Sequence, residues 1–316
     1  MSVVISCYNF MVDDVELMAR FYREVFEWSH QADLDEAIGD ISLCGDRAGR
    51  RVRRLVMRGL NPDIGKIALI QGDWPCELPV TYPRQRLGLG DIAVVADVGD
   101  IFALAERVRK FPGATIVTAP IEWSFPAPDG SGMLLLTSMN FFDPAGFLHE
   151  VYYRRNRPNP AGYLVRRCTA MVADNRATID VYRDILGLTV IQDSTMKNEG
   201  MVLPVNLVDD GARAMMHFTV CKAAHPQIGM IGALEFTEPR LPLVKRNPQI
   251  FQAGRLIVSG ECNDMAHFTA SAAARNVNLF GPLTTSLPTS PPGTENISAS
   301  RAFVDPGGVV WSVAAK

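Results

Sequence analysis

The sequence is short of the features that settle a function at a glance. Among its 316 residues no apolar run reaches the roughly 18 needed to cross a bilayer as a helix. There is no basic excess: 31 Lys and Arg stand against 34 Asp and Glu, giving a net charge of −3 and a pI of about 6.0. A protein that grips nucleic acid through its phosphates is therefore not expected. The six cysteines are scattered and form no CxxC pair, which reads as reduced thiols in a cytoplasmic protein. Histidine is scarce, at five residues. There is no Gly-rich phosphate loop, no GxSxG elbow and no HExxH helix. The opening residues, MSVVISCYNFMVDD, lack the basic flank and cleavage site of a signal peptide and read as a β-strand.

What is present is an ordinary globular composition, 47% apolar and 21% charged, at a length that suggests two domains. Self-similarity makes that prior specific. VDDVELMARFYREVFEW (residues 12–28) matches VADNRATIDVYRDILGL (172–188), with Tyr22-Arg23-Glu24 over Tyr182-Arg183-Asp184 at an offset of 160. Each segment follows a strand-like alternation and carries apolar residues at helical spacing. Asp14 and Asp174 stand where an N-cap is wanted, and further helices start near Asp100 and Asp264. The halves also end alike: FFDPAGFLHEVYY (141–153) and FVDPGGVVWSVAA (303–315) each place an Asp-Pro-x-Gly turn between strands. The proline-bearing linker RRNRPNPAG divides the chain near Asn159, giving domains at 1–157 and 162–316. Each half divides again, so the chain reads as four β-α-β-β-β units of an α+β fold.

These units, with their FYRE and VYRD helices and their DPAG and DPGG hairpins, resemble the vicinal oxygen chelate superfamily. That group includes glyoxalase I, extradiol ring-cleaving dioxygenases, methylmalonyl-CoA epimerase and antibiotic-resistance proteins of the bleomycin type. The resemblance covers nearly the whole chain. It implies that pairs of units curl into two open barrels, each holding a small ligand, usually over a divalent metal. Its ligand positions fall on Cys7, Ala68, Asp91 and Glu150 in the first half. In the second they fall on Arg167, Glu235, a residue near Ile257 or Ser259, and Ser312. Few of these are conventional ligands, and the inward faces of strands 1, 9 and 13 (Ile5 to Met11, Val165 to Met171, Arg255 to Glu261) carry no histidine.

The expectation is therefore a glyoxalase- or dioxygenase-like enzyme that works without a metal. It acts on a small organic acid or aromatic metabolite by proton transfer, as an isomerase, lyase or hydratase. Asp91 and Glu150 are the acid–base pair. Cys7, Asn9, Tyr152, Arg167 and Glu235 line the substrate, with Arg167 paired to Glu235 or to a ligand carboxylate. One alternative is a binding or resistance protein without catalysis. Another is a metal-dependent dioxygenase or glyoxalase holding Fe, Zn, Ni or Mn on Glu150, Asp91 and Cys7. Since cavities of this kind are often shared between subunits, a homodimer fits. The run Arg47, Arg50, Arg51, Arg53, Arg54 reads as a solvated edge.

Overall fold

The computed structural model describes residues 2–37, 50–59, 66–74, 92–127, 130–197, 215–223, 229–238, 256–280 and 300–316. The first unit is β1 (Val4–Met11), α1 (Val15–Phe26), β2 (Ser29–Ala37), β3 (Arg51–Arg58) and β4 (Lys66–Gly72). The second is β5 (Ile92–Asp97), α2 (Ile101–Lys110), β6 (Thr115–Pro126), β7 (Met133–Phe142) and β8 (Leu148–Arg154). The third is β9 (Leu164–Met171), α3 (Asn175–Asp184), β10 (Thr189–Lys197), β11 (Met215–Lys222) and β12 (Met230–Glu238). The fourth is β13 (Leu256–Cys262), α4 (Met265–Ala274), β14 (Ser300–Val304) and β15 (Val310–Ala315), with a single bridge from Phe280 to Ala302 where its second strand is expected.

All four helices begin as the sequence indicates. Asp14, Asp100, Asp174 and Asp264 each accept backbone N–H groups of the first turn, satisfying donors that the helix cannot satisfy itself. After α1 the chain turns through Glu27 at φ 61°; the matching position after α3 is Gly187 at φ 65°. Both hairpins close as their motifs require. Asp143 and Asp305 accept from the backbone of Phe147 and Val309, with Gly146 and Gly308 in the left-handed region.

The sheets do not follow the halves. One has the order β14-β15-β13-β1-β4-β3-β2, so it joins the fourth unit to the first. The other, β10-β11-β12-β9-β5-β8-β7-β6, joins the third to the second. In both, two units meet through their first strands, β1 antiparallel to β13 and β9 antiparallel to β5. This corrects the reading of 1–157 and 162–316 as two self-contained barrels. The repeat halves are real in sequence, but each curled sheet takes one unit from each half. Within a half the units are joined instead through the core behind the sheets. Tyr182 of α3 donates to Asp305 of the fourth unit at 2.8 Å, and α1 packs on α2. Tyr8 in one sheet donates to the carbonyl of Met230 in the other at 2.7 Å. One large apolar cluster, from Val3 and Phe10 through Val94 and Cys168 to Trp311, fills this shared interior. Smaller clusters line the sheet faces that carry no helix, and there the candidate sites lie. Among the described residues no helix is long and apolar enough to cross a membrane.

Candidate active site

The sharpest chemistry sits on the helix-free face of the sheet formed by the second and third units. Glu150 of β8 lies opposite Val95 of β5, and Arg167 of β9 lies opposite the same Val95 from the other side. Two strand spacings, about 10 Å between backbones, thus separate a carboxyl from a guanidinium on a side chain long enough to span most of that gap. Glu150 is buried, at 4% exposure, and the Tyr152 hydroxyl donates to its Oε1. Arg167 is half-buried. Its guanidinium stacks over Phe218 at 5.2 Å, and its Nε donates to Thr169 Oγ1 at 3.3 Å. Trp123 packs against Tyr152 and donates to Ser138 Oγ at 2.9 Å. Ala93, Phe142, Leu148, Met171 and Leu234 make the floor apolar.

Burial dominates the electrostatics. It pushes the Glu150 carboxyl up from 4.5 to about 7, although the charge of Arg167 and the hydrogen bond from Tyr152 pull the other way. Burial, then the neighbouring Glu150 charge, lifts Tyr152 well above an ordinary phenol, so it stays a donor. The face therefore combines an acid–base group poised near neutrality, a hydroxyl that orients it and a cation able to hold an anionic oxygen.

Glu150, Tyr152 and Arg167 are thus brought together, while the other expected residues are not. Asp91 lies outside the described residues. Cys7 and Asn9 face away from the helices as expected, but in the other sheet. There Asn9 Nδ2 donates to the Ile257 carbonyl and to Ser259 Oγ at 2.9 Å each. Burial raises the Cys7 thiol despite nearby Arg54 and Lys66, so Cys7 is a neutral thiol donating to Asn9 Oδ1.

Glu235 belongs to the opposite face of its strand. Thr169 pairs with Gly232 as Asn9 pairs with Ala68, so Gly232 is the counterpart of Ala68 and Glu235 is the counterpart of Gln71. Both side chains serve the helix of their own unit. Gln71 accepts from Val15 N at 3.1 Å, and Glu235 accepts from Asn175 N at 2.9 Å. The expected Arg167–Glu235 pair is replaced by this cap. The inward sets also need trimming. Register shifts between Ile5 and Cys7 and between Val95 and Ala96 turn Ile5 and Val165 into the shared core. His149 is structural: it is buried, bonded to Asp143 and Tyr163 and stacked on Phe141.

Sequence reasoning missed Trp123, Ser138 and Phe218, which follow only from knowing which strands are neighbours, while Thr169 was already on the inward face read for its strand. It also misjudged Arg54. Arg51 is exposed and Arg53 half-buried on β3, an inner strand, and they pair with Asp35, Asp33 and Glu16. Arg54, one position on, is buried at 2% exposure. Its alternation with Val52 and Val56 was the available signal.

With the strand order known, the ligand positions regroup as Cys7, Ala68, Ile257 or Ser259, and Ser312 in one sheet. In the other they are Arg167, Gly232 and Glu150, the fourth, Asp91, lying outside the described residues. Among the described residues the first set has no histidine or carboxylate. The second has one carboxylate, facing a guanidinium where a ligand would stand. No group of three His, Cys, Asp or Glu side chains comes together among the described residues. Among the described residues, the donors at these positions do not fit a divalent ion.

No protein-family model matches the sequence, and comparison with curated proteins gives no match. Solved structures do match over the full length. A glyoxalase I variant from Zea mays shares 15% identity over 99% of this chain and 94% of its own, with a TM-score of 0.58. The unmutated maize glyoxalase I gives 14%, 99%, 92% and 0.56. A Bacillus subtilis structure with a provisional dioxygenase assignment gives 15%, 99%, 85% and 0.58. At this identity the likeness concerns the fold, and it covers both sheets at once: the chain has the tandem vicinal oxygen chelate fold of the glyoxalase and dioxygenase structures.

Proposed function

We propose that this chain is a glyoxalase-fold enzyme that moves a proton on a small organic acid, as an isomerase or lyase, without a divalent metal. The observation that carries the reading is the buried Glu150 facing Arg167 across one strand, where burial pushes its carboxyl up to about 7. As a carboxylate, Glu150 removes a proton from carbon beside a carbonyl. Arg167 holds the substrate's anionic oxygen and the enolate that forms. The Glu150 acid then returns the proton to another atom, while Tyr152 keeps the carboxyl aimed. The apolar floor suits a small hydrocarbon or aromatic body. Both first-strand junctions form within one chain.

The test is turnover of a panel of 2-oxo, 3-oxo and unsaturated acids, with metal content measured on the same preparation. The reading expects activity that survives chelation, falls at least a hundredfold in Glu150→Gln, and shows a raised KM in Arg167→Met. Tight binding of one panel member without turnover favours the sequestering alternative. Stoichiometric metal lost on Glu150→Ala refutes the metal-free chemistry.

A further inference from the structure

We propose that the sheet of the first and fourth units holds a second small-molecule site, which takes a monocarboxylate with an apolar body on the side-on edge of Arg54. Arg54 lies on β3, on the face without helices, and is 2% exposed. Its Nε and Nη2 have no hydrogen-bond partner among the described residues. Those two N–H groups form the edge of a guanidinium that meets both oxygens of a carboxylate at once.

The nearby groups among the described residues do not supply that anion. Asp33, Asp35 and Glu16 are engaged by Arg53 and Arg51 on the opposite face. Asn9 and Ser259 are bonded to one another, and Cys7, within hydrogen-bonding reach of the Arg54 guanidinium, is a thiol that burial keeps protonated, so it brings no negative charge to Nε and Nη2. A guanidinium stays charged at every accessible pH, and a buried charge left unpaired destabilises a fold. A bound anion removes that penalty. The surroundings describe the rest of the ligand: Met11, Val52, Ile70, Ile257, Ala302 and Val310 form one apolar cluster on this face. One guanidinium with an apolar surround suits a singly charged organic acid better than a phosphate.

The probes are benzoate, its neutral isostere benzamide, and inorganic phosphate, titrated calorimetrically into the full-length Arg167→Met protein so that the other sheet's cation does not contribute. We expect one benzoate per chain, no measurable benzamide binding and weaker phosphate binding. Adding Arg54→Met should weaken benzoate by roughly a hundredfold or more. In parallel, the arginine ¹⁵Nε–¹H spectrum should show one resonance, absent in Arg54→Lys, that moves with benzoate and not with benzamide. That spectrum decides the matter if the double variant does not fold. No benzoate binding, equal benzamide binding, tighter phosphate binding, unchanged affinity without Arg54, or an unresponsive Arg54 resonance would each overturn the proposal. None of these outcomes bears on Glu150, so the two sites stand or fall separately.

Discussion

Replacing Glu150 by glutamine should make the protein more stable at neutral and alkaline pH while removing its activity. The folded protein keeps the Glu150 proton up to about pH 7, whereas an exposed glutamate releases it near 4.5. Between those values the folded state carries the extra proton. Stability is therefore greatest below the unfolded value and falls as pH rises through 7. At about 1.4 kcal/mol per tenfold change in proton affinity, the full loss is on the order of 3 kcal/mol, most of it between about pH 5 and 8. Glutamine keeps the shape and cannot ionise, so this pH-dependent loss disappears in the variant. Urea unfolding of both proteins at several pH values gives the comparison directly. The wild-type curve should drop relative to Glu150→Gln by roughly 2–3 kcal/mol as pH rises across that window. Asp305, which burial also raises to about 6, contributes a loss of the same sign at lower pH in both proteins and cancels in the difference. Parallel curves would show that Glu150 titrates like an exposed carboxyl, and the acid–base assignment would fail with them.

Further predictions rest on single contacts. Arg167→Met should raise the Glu150 titration midpoint, because the lost charge was lowering it; carboxyl ¹³C NMR reads that directly. Asp305→Asn turns one acceptor of Tyr182 Oη and Trp311 Nε1 into a donor, leaving buried donors facing a donor. A loss of about 2–4 kcal/mol in urea unfolding is expected. Glu27 sits at φ 61° where the repeat has Gly187, so Glu27→Gly should stabilise by about 0.5–1 kcal/mol. Its ion pair with Arg107 at 3.8 Å is exposed and offsets little of that gain.

Local physics was legible in the sequence, and long-range pairing was not. The four capping aspartates, the Asp-Pro-x-Gly hairpins and the 160-residue repeat depend on residues close in the chain, and all appear as expected. Which first strands pair depends on contacts such as Asn9 with Ile257, whose separation no periodicity encodes. That gap separated Cys7 and Asn9 from Glu150. A count of strand parity misplaced Ile5 and Val165 because register shifts reset the alternation, and aligning β12 three residues out of register misplaced Glu235. Glu150, Tyr152 and Arg167 come together because their strands, β8 and β9, share one neighbour, β5.

The most direct measurement of the central claim is hydrogen exchange at carbon. Enolisable 2-oxo and 3-oxo acids are incubated with the chelator-treated protein in heavy water, and deuterium incorporation is followed by NMR. The account predicts exchange with at least one acid, rising as pH passes through about 7, retained in Cys7→Ser and lost in Glu150→Gln. Exchange that persists without the Glu150 carboxyl, or that appears only when a divalent metal is restored, would contradict it.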